Sequence, residues 1–95
     1  MAVYTIAQVK IHDQETYDKY KVQFGPILHE YGGRLVAADE QPLVEEGEWA
    51  YEKIVILEFD DMAAFRAFAD SESYKKIAAH RHAGADSLIL VAKGR

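Results

Sequence analysis

Apolar and polar residues alternate from Val3 to Lys10. Val3, Thr5, Ala7 and Val9 fall on one side and Tyr4, Ile6, Gln8 and Lys10 on the other, a period of two that predicts a first strand. The period then changes. Asp13 offers an N-cap, and Tyr17, Tyr20, Phe24, Ile27, Leu28 and Tyr31 recur at intervals of three and four, the signature of one helix face. Gly32-Gly33 stops that helix, and Pro26 inside it predicts a kink or a break near Phe24-Gly25. Arg34 to Ala38 reads as a second strand, and the acidic stretch Asp39 to Glu48, broken by Pro42 and Gly47, as a hairpin connection or flap.

Glu52 to Phe59 predicts the third strand, with Asp60-Asp61 supplying the next cap. Met62, Phe65, Phe68 and Ala69 paint a second helical stripe. Short polar residues from Asp70 to Ser73 interrupt it before Tyr74, Ile77, Ala78 and Arg81 resume it, so two short helices or one broken at Ser71 fit equally well. Ala83-Gly84-Ala85 ends the helical region, and Leu88 to Ala92 predicts a fourth strand. The order is βαββαβ. Right-handed crossovers put both helices on one face of a four-stranded antiparallel sheet, a ferredoxin-like α+β sandwich formed by residues 1–95 as one domain. Both faces of the third strand are apolar, with Val55, Leu57 and Phe59 on one side and Ile54 and Ile56 on the other. The uncovered face of the sheet is therefore expected to meet a partner.

Composition narrows the function classes. With no cysteine there is no disulfide, thiol chemistry or zinc-thiolate site, and the opening Met-Ala-Val-Tyr-Thr lacks the pattern of a signal peptide, so the cytoplasm is the expected location. No apolar run approaches the roughly 20 residues of a membrane span. A net charge of -5 disfavours nucleic acid as well.

Tyr31-Gly32-Gly33-Arg34, Glu46-Gly47-Glu48-Trp49, Val55-Ile56-Leu57-Glu58-Phe59, Ser71-Glu72-Ser73-Tyr74 and Arg81 follow one another at spacings similar to those of the small bacterial proteins called domain of unknown function 1330. The resemblance runs from Tyr4 to Gly94. It implies a dimeric α/β barrel, in which two ferredoxin-like sheets close face to face around a shared or paired cavity. The family name assigns no activity, and no cofactor is expected. Where such sequences often carry an arginine after the second strand, this chain has Ala37-Ala38-Asp39, which weakens an anion site there.

Glu58 breaks the apolar logic of the third strand, and burying a carboxylate is costly unless it is compensated. Hairpin register puts Arg34 opposite it, so the two form a structural cross-strand pair, or Glu58 lines the barrel as a general base or hydrogen-bond anchor. Desolvation would raise its pKa and Arg34 would lower it. Arg81 is the candidate for holding an acidic ligand; pairing with Asp86 or with a partner chain is the default against which that is weighed. His80 and His82, two apart on a helix, point to nearly opposite sides, which argues against a metal site. Trp49 lies where a large ring can cap the barrel mouth or cross onto the other subunit, and Tyr4 and Tyr74 can offer hydroxyls to a cavity, although burial with a single backbone hydrogen bond explains them as well. Tyr17, Tyr20, Phe24 and Tyr31 read as core. Gly32-Gly33 lacks the spacing of a phosphate loop, and no serine has a nucleophile setting.

Three functions stay open. One is a homodimer binding a small, partly aromatic or acidic metabolite in the barrel through Arg34, Trp49, Tyr74 and Arg81. Another is a cofactor-independent oxygenase, isomerase or lyase with Glu58 as base. The third is a structural or stress-associated dimer whose barrel is filled by Ile6, Ile54, Ile56 and Leu88 or Ile89.

Overall fold

The computed structural model describes residues 1–95. Strand β1 spans Val3–Ile11, helix α1 Gln14–Glu30, β2 Arg34–Asp39, β3 Lys53–Phe59, α2 Met62–Ala69, α3 Glu72–Gly84 and β4 Ala85–Lys93. The strands form one antiparallel sheet in the order β2-β3-β1-β4. The helices cover one face of it and leave the other open. The four strands of this chain do not close into a barrel.

Local chemistry accounts for the boundaries. The Asp13 carboxylate accepts from the Thr16 amide at 3.2 Å and from the Thr16 hydroxyl at 2.8 Å, satisfying the free start of α1. At its other end Gly32 takes φ +74, and the Gly33 amide donates back to the Leu28 carbonyl at 3.0 Å. Ser71 resolves the alternative of one helix or two. Its hydroxyl donates to the Phe68 carbonyl at 2.8 Å, closing α2, and accepts from the Tyr74 amide at 3.2 Å, opening α3. The two helices are separate.

The expected break at Pro26 does not occur, because α1 runs unbroken through it. A proline disfavours helical geometry at the preceding residue by crowding that residue's Cβ, and here the preceding residue is Gly25, which has none. The fourth strand is longer than its apolar run at both ends: β1 pairs with it from Val3↔Lys93 to Ile11↔Ala85. Backbone pairing extends strand structure where side-chain periodicity gives no signal.

Two clusters of buried residues anchor the helices to the sheet. One gathers Val3, Leu28, Leu57, Phe59, Phe65 and Phe68, the other Val9, Tyr17, Tyr20, Ile77 and Ala85. Between them the sheet offers small side chains: Ala7 lies opposite Val55 and Ile89, and Ala38 lies opposite Val55 on the other side. The rows of Val3 and Val9 touch the helices and the row of Ala7 does not fill the space, which leaves a cavity of about 410 Å³.

The open face carries Tyr4, Ile6 and Gln8 of β1, paired with Glu58, Ile56 and Ile54 of β3 and with Ala92, Leu90 and Leu88 of β4. Leu88 and Leu90 are 43% and 49% exposed. Ile89 points the other way and lines the cavity under the helices, so of the two residues expected to fill a barrel only Leu88 lies on the open face. At the edge strand β2 the register shifts between Leu35 and Ala37, so Val36 forms a bulge and is also exposed.

Candidate functional site

The residues singled out in the sequence separate onto the two faces of the sheet. On the open face Arg34 stands opposite Glu58, and its Nε donates to Glu58 Oε1 at 2.9 Å. The same guanidinium donates through Nη2 to Asp60 at 2.9 Å, and the Tyr4 hydroxyl donates to Glu58 Oε2 at 3.1 Å. Both oxygens of Glu58 are engaged. The Arg34 hydrogen bond, followed by that from Tyr4, holds the Glu58 carboxyl below its ordinary value and outweighs desolvation. A carboxylate stabilised as the anion is a hydrogen-bond acceptor and a weak base. Its bond to Glu58 also raises the Tyr4 hydroxyl, which stays protonated as a donor.

A group whose folded pKa is depressed stabilises the fold above its unfolded pKa, and that contribution fades as pH falls through the folded value. Glu58→Gln is therefore expected to unfold at lower urea than the parent at pH 7, with the gap closing as pH is lowered from about 4, the unfolded glutamate value. A gap that persists unchanged to pH 2 would show that the charge of Glu58 is not what stabilises the strand pair.

Trp49 also lies toward the open face, its Nε1 donating to Gln8 Oε1 at 2.8 Å and its ring 6.1 Å from that of Tyr51. Tyr74 and Arg81 do not join this group. They line the cavity on the opposite side of the sheet, so the expected assembly of Glu58, Arg34, Trp49, Tyr74 and Arg81 around one barrel cavity is not found. Alternation of side chains across a strand is the reason. Residues 54, 56 and 58 face away from the helices, whereas the α3 stripe of Tyr74, Ile77, Ala78 and Arg81 faces the sheet.

The cavity is apolar with polar groups at a few points. Its titratable lining consists of Tyr17, Tyr20, Lys21, Lys53, Tyr74 and Arg81; no carboxylate or imidazole is among them. Arg81 is 8% exposed, and its Nε is buried without a hydrogen-bond partner. The expected pairing with Asp86 is absent; Asp86 instead lies 3.9 Å from His12. The guanidinium carbon sits 5.6 Å from the centroid of the Tyr20 ring, and Nη2 is 3.5 Å from His82 Nε2. Such a group, buried against an aromatic face and without a counter-ion, is costly unless something else compensates it.

Lys53 is the second buried cation, its ammonium 5.0 Å from the Tyr17 ring centroid. Thr5 Oγ1, also lining the cavity, has no hydrogen-bond partner. The Tyr20 and Tyr74 hydroxyls lie 3.2 Å apart. Burial first, and then Tyr74, pushes the Tyr20 hydroxyl far above the ordinary tyrosine value, so it stays protonated and neutral. The cavity opens where Lys21 and Gly25 of α1 and Leu35 and Ala38 of β2 line it while remaining exposed. Sequence reading missed Lys53, Thr5 and the double role of Tyr17 and Tyr20. Lys53 did carry a signal, because it stands two residues before Val55 and so on the face of Leu57 and Phe59.

This is a ferredoxin-like α+β domain with an internal, cation-bearing cavity. The chain belongs to the domain of unknown function family DUF1330, which it matches over residues 2–95. Among solved structures it is similar to a Rhodopseudomonas palustris protein of unknown function, with TM-score 0.84 and 21% identity over 99% of this chain and 82% of the other. A dimeric ferredoxin-like protein of unknown function from Jannaschia sp. superposes with TM-score 0.78 and 13% identity, covering 99% of this chain and all of that one. SnoaB, a cofactor-independent oxygenase from Streptomyces nogalater, superposes with TM-score 0.72 and 16% identity over 99% and 93% of the two chains. No curated protein sequence matches. At these identities the likeness is one of fold.

Proposed function

We propose that this protein is a homodimer that binds a small, partly aromatic acid in the cavity between its helices and its sheet. One observation carries the reading: Arg81, buried at the wall of an apolar cavity of about 410 Å³, has no carboxylate to pair with. An apolar pocket with a few polar groups is the usual form of a small-molecule site, and an unpaired guanidinium selects an anion. Dimerisation through the open face is supported by the exposed Leu88 and Leu90 beside Ile6, Ile54 and Ile56, and by a structural neighbour described as dimeric.

A second reading, turnover of the bound molecule without a cofactor, draws on the fold shared with SnoaB. Binding is preferred because the titratable lining consists of cations and tyrosines and offers no ready base, while Glu58 lies across the sheet with its anion stabilised. Calorimetric titration with benzoate, joined to native mass spectrometry of the freshly purified protein, tests the proposal. Dimer mass and saturable binding are expected. A monomer at micromolar concentration would overturn the dimer, and failure of benzoate and larger aromatic acids to bind would overturn the ligand class.

A further inference from the structure

We infer that the ligand carries two acidic groups, one held by Arg81 and the other by Lys53, and that Glu40 occupies Lys53 until such a ligand displaces it. The inference rests on the acid-binding reading above and specifies its ligand. Lys53 enters the helix-covered side of β3 opposite Val9, and its side chain is only 7% exposed. Nothing in the packing of that row requires a charge, since Val9 beside it is fully apolar. A buried ammonium needs a counter-charge, and the one present is Glu40 Oε1 at 3.4 Å.

That pair is loose and easily exchanged. Charge-assisted hydrogen bonds of this type run to about 2.7–2.9 Å, well short of the observed separation. Glu40 follows directly after β2, its side chain is 67% exposed, and the same oxygen lies 3.7 Å from Lys21, itself 56% exposed. A carboxylate so placed loses little on returning to water, whereas Lys53 cannot follow it out. Any ligand carboxylate that reaches the ammonium from inside the cavity replaces a solvent-exposed, distant partner with a desolvated, close one.

The two buried cations are joined by an aromatic rail. Lys53 lies over Tyr17, Arg81 lies over Tyr20, and these rings, three residues apart on α1, have centroids 5.7 Å apart. Tyr20 in turn meets Phe24 at 5.4 Å. The two rings therefore connect both cations along the lining of one cavity. Lys21, Lys53 and Arg81 outnumber Glu40 by two charges around the cavity, which suits a dianion.

Benzoate, phthalate, isophthalate and terephthalate, titrated calorimetrically into the parent chain and into Lys53→Met, Arg81→Met and Glu40→Gln, separate the possibilities. Methionine keeps the apolar length of the lysine stem, and leaving the exposed Glu40 alone costs little, so Lys53→Met is expected to fold; circular dichroism checks it. At least one diacid should bind the parent about tenfold or more tighter than benzoate, as expected for one added close ion pair. Lys53→Met should erase most of that advantage. Glu40→Gln should tighten the same diacid severalfold, and benzoate by less. Benzoate binding as tightly as every diacid, or a diacid advantage surviving in Lys53→Met, overturns the inference while leaving acid binding intact. Failure of all four acids to bind overturns both.

Discussion

Arg81→Met is expected to stabilise the fold and to weaken binding of aromatic acids, and the opposite signs are what identify the residue as functional. Removing the guanidinium takes away a buried charge with no counter-ion and an Nε with no hydrogen-bond partner, while methionine keeps the apolar stem packed beside Tyr20. Replacing buried ionic groups by apolar ones of similar volume gains about 1–4 kcal/mol in favourable cases; for a single, cation–π-supported arginine the lower end is expected. About 1 kcal/mol raises the melting midpoint of a domain of this size by about 4–8 °C. Binding should fall about ten- to hundredfold, the range of a lost hydrogen bond to a charged group of roughly 1.5–3 kcal/mol. Arg81→Lys should recover part of it, because the charge returns without the planar fork. Scanning calorimetry and titration of the same samples decide. A variant less stable than its parent, with unchanged benzoate affinity, would make Arg81 part of the architecture.

The sequence made the fold legible because each element announces itself by a different rule. Period two marks the strands, Asp13, Asp61 and Ser71 cap the helices, and Gly32 ends α1. Pairing across the hairpin was legible too: Arg34 meets Glu58, although Val36 adds a bulge one step along. The position of the cavity was not. A void forms where side chains from several elements fail to meet, and Thr5, Ala7 and Ala38 are separated along the chain by helices and turns. The same limit explains the misplaced assembly around Glu58. That residue was conspicuous because a charge in an apolar strand is rare, yet its partners Arg34 and Tyr4 account for it. Helical spacing puts Arg81 in the α3 stripe, but only the structure shows that no carboxylate meets it. Chain pattern reports which face a residue takes; it does not report what is missing opposite.

Phe59→Ala is expected to cost about 3–5 kcal/mol, the largest effect on stability of any single substitution considered, because a fully buried ring leaves a void that neighbours only partly fill. Phe59 is 0% exposed, with the rings of Phe65 and Phe68 at 5.6 and 5.3 Å. Gly33 closes the other side: a Cβ there would lie 2.8 Å from Phe59 Cε1 and would also clash with Leu28 Cδ1. Walls this close are set by backbone, so collapse into the void is limited. Against a total of about 5–15 kcal/mol for a small domain, the loss brings the chain near its unfolding threshold, visible as a large drop in the urea midpoint. Phe59 does not itself line the cavity, but Phe65 and Phe68, which it supports from behind, do. Phe59→Leu, a milder change, should therefore lower stability while leaving benzoate affinity within about threefold, provided the wall is held by the helices as well as by this ring. A parallel collapse of affinity and stability in Phe59→Leu would instead mean that the shape of the cavity is fixed through Phe59, and that core packing and the ligand site form one cooperative unit.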